Sequence, residues 1–480
     1  MKTLLKTMVC LAAMAACTAY GVSVKGTSGD ISSGATWTGD YVPTNSTAVF
    51  STSSGGTYTL NNDVTLGSVC INYNTAFNLY GSGNHTIRTS KFYFGWYNRT
   101  VTIDGGVWDL SATHDADTQA PDHAFMSCKT ANGGGIYSTT LTLAKGCVVT
   151  NATTIRVGHG SKSNKLKITD GSRIYVQGNS HLWVNETSVN GLLEMSSGGQ
   201  LYVVGTVNDC FANTAKLHDT TNRIVITGSG SKLSATRFNV GSAYGRNSLL
   251  VSDNGEMSAL DKFVVGNSSN ANTNQAVFET GATFTMRDIR VGENGSCGNA
   301  LEFRSGASGL IDAGGRIGGW DKAGSGNTIL VSNATVSAMG VLGFGAPSGD
   351  APGISGNGLI IQGSTPSLSN TSSILVKNRS FLRIEVPVGG YANDVTPISA
   401  SGVTIDGTST LEIVVPDASG MPDSQRLIST TGGVTIPDAV LNAAKASVST
   451  QSNGKLRLVK ADGGKAIDLK VVKGMVISFK

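Results

Sequence analysis

The chain has 480 residues, of which 62 are glycine and only 10 proline; charged residues make up 14% and the formal net charge is +4. Two of the lysines, Lys2 and Lys6, sit in an N-terminal leader, so the rest of the chain has no basic field for nucleic-acid binding. Abundant Ser, Thr, Asn and Val, with few strong helix formers, predict an all-β protein.

Residues 1–21 read as a secretory signal peptide: Lys2 and Lys6 precede the apolar run VCLAAMAAC, and small residues follow at Thr18, Ala19 and Gly21. The run is too short to span a bilayer. Cleavage after Ala19 or Gly21 fits the small-residue rule best. A second reading takes Ala15-Ala16-Cys17 as a lipoprotein box with lipid on Cys17, although Met14 is unusual upstream of one. Both readings put the protein outside the cell or on its surface. No later segment is apolar for long enough to form a membrane helix, so no transmembrane span is expected. Beyond the leader lie Cys70, Cys128, Cys147, Cys210 and Cys297, an odd, scattered set that makes no disulfide framework. Cys128 and Cys147 are the favoured pair, since they could fall on neighbouring coils; burial as small residues is the equal alternative.

Residues 22–110 are expected to form a β-rich N-terminal cap and the first coils. The segment THDADTQAPDH then gathers His114, Asp115, Asp117, Asp122 and His123, groups that suit Zn²⁺, Ca²⁺ or Mn²⁺. Pro121 and the lack of a glycine argue against a tight cage, so a solvated loop is expected, with no metal and no other cofactor.

A repeat organises residues 111–385 and is clearest over 222–343. Val240-Gly241, Val265-Gly266, Val291-Gly292, Ile317-Gly318 and Leu342-Gly343 carry glycines 25, 26, 26 and 25 residues apart. Each unit opens on an asparagine leading an alternating apolar segment: Asn222, Asn247, Asn274, Asn299, Asn327 and then Asn357. From the first five asparagines to the closing glycine the distances are 19, 19, 18, 19 and 16, whereas from glycine to the next asparagine they are 6, 8, 7, 9 and 14. The nearly constant part is scaffold and the variable part is loop. Alternation such as Leu249/Val251 points every second side chain inward, a glycine with positive φ turns the corner, and a second strand runs into Val-Gly. Coils about 4.8 Å apart would pair strand on strand, and asparagines at one position could form an amide ladder. Hairpin signals are too irregular for an up-and-down barrel, and a propeller blade needs roughly 40 residues. The predicted fold is a right-handed parallel β-helix, a β-solenoid. Aligned on Val-Gly, Asp261 falls over Arg287 and Lys262 over Asp288, with Arg237 ahead of Lys262 in the same column; aligned on Asn, the register shifts by one.

The N-terminal stretches ATWTGDYVPTNSTAVF and VTLGSVCINYNTAFNLYGSG, with the Val-Gly spacing, resemble secreted bacterial proteins with autotransporter-type strand repeats, passenger domains of the pectin-lyase-like β-helix superfamily. The resemblance spans residues 35 to about 385 and implies a fold more than a function. Fewer than a hundred residues follow the solenoid, so the membrane barrel of a true autotransporter is not expected. Gly158-His159-Gly160 also resembles a motif of polygalacturonase-type hydrolases on this fold. Those enzymes need paired carboxylates, from Asn-Thr-Asp and Asp-Asp motifs, and this chain has neither. His159 is therefore read as a loop residue after a Val-Gly corner, and no catalytic residue is assigned.

The variable loops SAYGRN, NSSNANTN, ENGSCGN, GWDKAGSGN and FGAPSGDAPGISGN leave one edge of successive coils. Tyr244, Trp320 and Phe344 could line a common strip there, with Arg246, Asp321 and Asp350 nearby, a composition suited to stacking on sugar rings. The alternative is that these rings cover a corner of the core. Residues 386–480 are expected to form a strand-rich capping module containing one helix over PDAVLNAAKASV, with its lysines protecting an edge or docking on an anionic polymer. The functional expectation is a secreted or cell-surface structural or adhesive protein that contacts extracellular polysaccharide through its loop edge. A polysaccharide lyase or glycoside hydrolase on the same fold is the alternative.

Overall fold

A computed structural model describes residues 21–472, apart from 53, 80–84, 95–98, 113–123, 128–137, 158–162, 185–189, 209–220, 320–323, 346–354 and 393–394. It is 55% strand and 6% helix, with parallel sheets stacked as a β-solenoid that makes about 13 turns in all. The chain divides into two compact units, Met1–Arg237 and Phe238–Lys480.

In the first unit, strands Thr100–Asp104, Thr140–Ala144, Lys165–Ile168, Leu192–Met195 and Arg223–Thr227 pair in parallel, coil on coil. A second parallel sheet contains Val148–Val157, Arg173–Val184 and Gln200–Asn208. Inward positions alternate, as in Leu166/Ile168 and Leu193/Met195, all fully buried. The early coils hold a run of aromatic rings in edge contact: Trp37 to Phe50 at 5.5 Å, Phe50 to Phe77 at 4.9 Å and Phe77 to Trp108 at 5.3 Å between centroids. Trp37 closes this end of the core, its indole N–H bonded to the Ile31 carbonyl at 3.1 Å.

The second unit repeats the plan with strands Ser248–Ser252, Gln275–Phe278, Ala300–Arg304, Thr328–Ser332, Gly358–Gln362, Phe381–Glu385 and Thr410–Val414. Parallel pairing continues through Ile398–Ile405 to Ser424–Thr435. The coils therefore run well past residue 385, where the cap was expected to begin. The physical reason is that FLRIE and TLEIV keep the same inward alternation as earlier coils, so they bury a face only by stacking. The stack ends when strand direction reverses: Ala466–Val471 lies antiparallel to both Ser424–Ser429 and Leu456–Ala461. Helix Asp438–Gln451 buries Val440, Leu441, Ala444 and Val448, and Gln451 clamps the Ile413 carbonyl and the Val415 N–H, both at 2.9 Å. Exposed Arg457 and Lys460 on Leu456–Ala461 discourage strand addition there.

The amide ladder exists and is buried. In the second unit the backbone N–H groups of Asn247, Asn274, Asn299 and Asn327 donate to Oδ1 of Asn274, Asn299, Asn327 and Asn357, at 2.9, 3.0, 3.1 and 3.0 Å. The Nδ2 groups of the same four residues donate to the same oxygens at 3.1, 3.0, 2.9 and 3.1 Å. The first unit has bonds of the same kind: Thr139 N–H donates to Asn164 Oδ1 at 3.2 Å, and Gly191 N–H to Asn222 Oδ1 at 2.9 Å. The Val-Gly corner belongs to the same device. Gly292 has φ of 80°, and a Cβ there would overlap the Asn327 carboxamide; Gly241, Gly266 and Gly318 approach Asn274, Asn299 and Asn357 in the same way.

Asn299→Ala removes an acceptor from two buried donors and should destabilise the second unit by about 3 kcal/mol, read as a shift of the urea midpoint. Gly171 and Gly292 share positive φ, but nothing lies within 4 Å of a Cβ at Gly171. Gly171→Ala should therefore cost only the left-handed penalty of about 1–2 kcal/mol, and Gly292→Ala clearly more in the same assay. Asp406 caps a turn by accepting from the N–H groups of Asn378 at 2.8 Å, Thr408 at 3.0 Å and Ser409 at 2.9 Å. Burial pushes its pKa up, but these bonds outweigh burial and bring it below 3.8. Its contribution is therefore full above about pH 3.8 and lost as pH falls through the lowered folded value. Asp406→Asn should flatten the acid limb of a stability–pH profile.

Candidate functional site

With the backbone and the amide column satisfied inside the stack, chemistry is carried by outward side chains. One outward feature of the second unit is a corner made of bulges. Ala259 pairs with Met286, 27 residues on, whereas Lys262 pairs with Asp288, 26 on, so Leu260 and Asp261 together oppose Arg287. In the next coil Met286 pairs with Ile311, 25 on, and Asp288 with Gly314, 26 on, so Arg287 opposes Asp312 and Ala313. The two registers seen in the sequence are both real: the Asn alignment holds before the bulge and the Val-Gly alignment after it. Lys262 over Asp288 is borne out, and Asp261 faces Arg287 as one of two residues in the bulge.

Past the corner, Arg290 binds Asp288 at 3.0 Å and also Glu293, and Lys262 lies 3.9 Å from Glu293. Burial works against the Arg290 charge, but Glu293 and Asp288 outweigh it and raise the guanidinium pKa. Asp288 of this half-buried knot also lines a shallow hollow of about 560 Å³, together with Asp261, Arg287, Ala313, Gly315, Arg316, Val341 and Gly343. Leu260, Met339 and Val341 rim the corner at 60%, 52% and 43% exposure, high for large apolar side chains. Among the described residues, no three His, Cys, Asp or Glu side chains converge as a metal centre would require.

A second outward feature lies in the first unit. Tyr175 pairs with Tyr202 and Arg173 with Gln200 on adjacent strands, while their neighbours Ile174 and Leu201 point inward. The two phenol rings stack with centroids 5.2 Å apart and planes within 6°, and Tyr202 donates its hydroxyl proton to Gln200 Oε1 at 2.9 Å. Farther along, the Arg156 guanidinium sits 4.6 Å over the Trp183 ring. All these side chains are partly or fully exposed. Together they present flat aromatic surface, hydroxyls, an amide and guanidinium groups, which is the chemistry of polyhydroxylated ligands.

The expected loop-edge strip is not assembled as drawn. Tyr244 is 6% exposed and Phe344 fully buried, so both rings cover the core, the alternative weighed above. Phe344 turns inward because it pairs in register with the buried Ile317 and Val376 of the neighbouring coils. Arg246 is exposed, with φ of 62°. Trp320, Asp321, Asp350, His159 and the segment from His114 to His123 lie outside the described residues. Cys147 is a free, fully buried thiol whose pKa burial pushes up, with the Asp104 carboxylate adding to it, while Cys128, the partner expected for it, lies outside the described residues. Cys297 is also free. Sequence reasoning passed over Tyr175 and Tyr202, although RIYV and QLYV place them at one position of successive units. The solenoid stands without a nearer likeness, since no protein-family model, curated protein or solved structure matches the chain.

Proposed function

We propose that this is a secreted or surface-displayed structural protein, a solenoid scaffold that adheres to extracellular polysaccharide through outward side chains on successive coils. The observation that carries the reading is the paired strip of the first unit, Tyr175 and Tyr202 stacked beside Arg173 and Gln200. Strands about 4.8 Å apart offer such groups at a fixed spacing, which suits an extended polymer of repeating rings. Phenol rings give contact area at low cost in side-chain entropy, and the hydroxyl, amide and guanidinium groups can bond sugar hydroxyls. The leader at residues 1–21 and the richness in Ser, Thr and Asn agree with an extracellular setting.

Affinity electrophoresis of the chain lacking residues 1–21 against a panel of neutral and acidic polysaccharides tests this. The double substitution Tyr175→Ala/Tyr202→Ala should weaken retention by about tenfold, equivalent to about 1.4 kcal/mol of lost aromatic contact, with the unfolding midpoint little changed. Retention unaffected by the pair would sink the strip as the contact. Release of new reducing ends or of unsaturated products would replace adhesion by the lyase or hydrolase reading.

A further inference from the structure

The bulged corner of the second unit holds a pattern that adhesion does not use. Taken coil by coil it runs Leu260, Arg287, Asp312, Met339 with Val341: apolar, positive, negative, apolar. All five side chains are exposed. Four coils at about 4.8 Å put the two apolar ends roughly 14 Å apart. Turned end for end, the stripe maps onto itself with the charges exchanged, which is the requirement for an isologous contact.

We propose that this corner is a self-association surface on which a second copy of the chain packs antiparallel about a two-fold axis. Leu260 of each copy meets Met339 and Val341 of the other, and Arg287 of each meets Asp312 of the other. The exposure agrees with the charge pattern: Leu260 stands out at one end of the stripe and Met339 and Val341 at the other, and a shallow hollow lined by Asp261, Arg287 and Val341 runs between them. Parallel packing is disfavoured because it would set Arg287 against Arg287 and Asp312 against Asp312. A contact of this size falls at the small end of specific interfaces, so the dimer is weak and concentration-dependent, as suits a protein crowded on a surface or in a matrix.

Sedimentation velocity of the chain lacking residues 1–21, over a concentration series, tests the proposal. The wild type should show reversible dimerisation, and Leu260→Asp should abolish it. Arg287→Asp alone and Asp312→Arg alone should each self-associate at least tenfold more weakly, since each homodimer then opposes like charges twice. An equimolar mixture of these two variants should form a heterodimer at least as readily as the wild type, because both cross-copy pairs become attractive. An ion pair within one chain cannot produce that rescue. A wild type that stays monomeric to its solubility limit, or a mixture no more associated than its components, would overturn the proposal. So would Arg287→Ala weakening polysaccharide retention while leaving dimerisation unchanged, an outcome that would make the corner a ligand groove. None of these variants touches Tyr175 or Tyr202, so failure here and failure of the adhesive reading are separately visible.

Discussion

A buried carboxamide that must be satisfied on both sides is the constraint on which the second unit depends. Each asparagine oxygen takes two hydrogen bonds from the coil before, and each asparagine donates its own backbone N–H and Nδ2 to the coil after. Removing water from such groups is tolerable only if every partner is present, so the coils can stack in one register alone. The glycine of each Val-Gly corner is held to the same rule from the other side. At Gly292 the Asn327 amide fills the space a side chain would need. The recurring glycine and the recurring asparagine are thus the two halves of one contact, each glycine meeting the asparagine of a later coil.

That lock leaves the rest of each coil free to vary in length. Differences of a residue between coils are taken up in the bulges opposite Arg287, where two residues face one and the side chains are pushed outward. The same irregularity creates the exposed apolar rim and the hollow, so the surface feature is a consequence of the register the interior demands. In the first unit the strand Arg173–Val184 also shifts register against its neighbours, with Tyr175 and Trp183 on either side of the shift.

Legibility followed how local the cause was. The inward alternation of Leu249 and Val251, the corner at Gly266 and the helix over Asp438–Gln451 depend on a few neighbouring residues, and all were readable. The end of the stack was misplaced because FLRIE and TLEIV look the same whether they pair in parallel with the coil before or begin a separate cap. Tyr244 and Phe344 were expected in an exposed strip because loop composition does not say which way a ring turns. Tyr175 and Tyr202 carried a signal in the repeated RIYV and QLYV segments, but a lone tyrosine in a strand is ambiguous until its opposite number is known.

By itself the sequence determined the fold class, the repeat, the asparagine column and the two competing registers, because periodicity in one dimension is the direct record of coils stacked in the third. Only the tertiary structure decided that both registers hold, on either side of a bulge, and which outward side chains of different coils come together. Arg287 and Asp312 are distant in the chain and adjacent at the corner, and that adjacency follows from strand pairing, which no local window of residues contains.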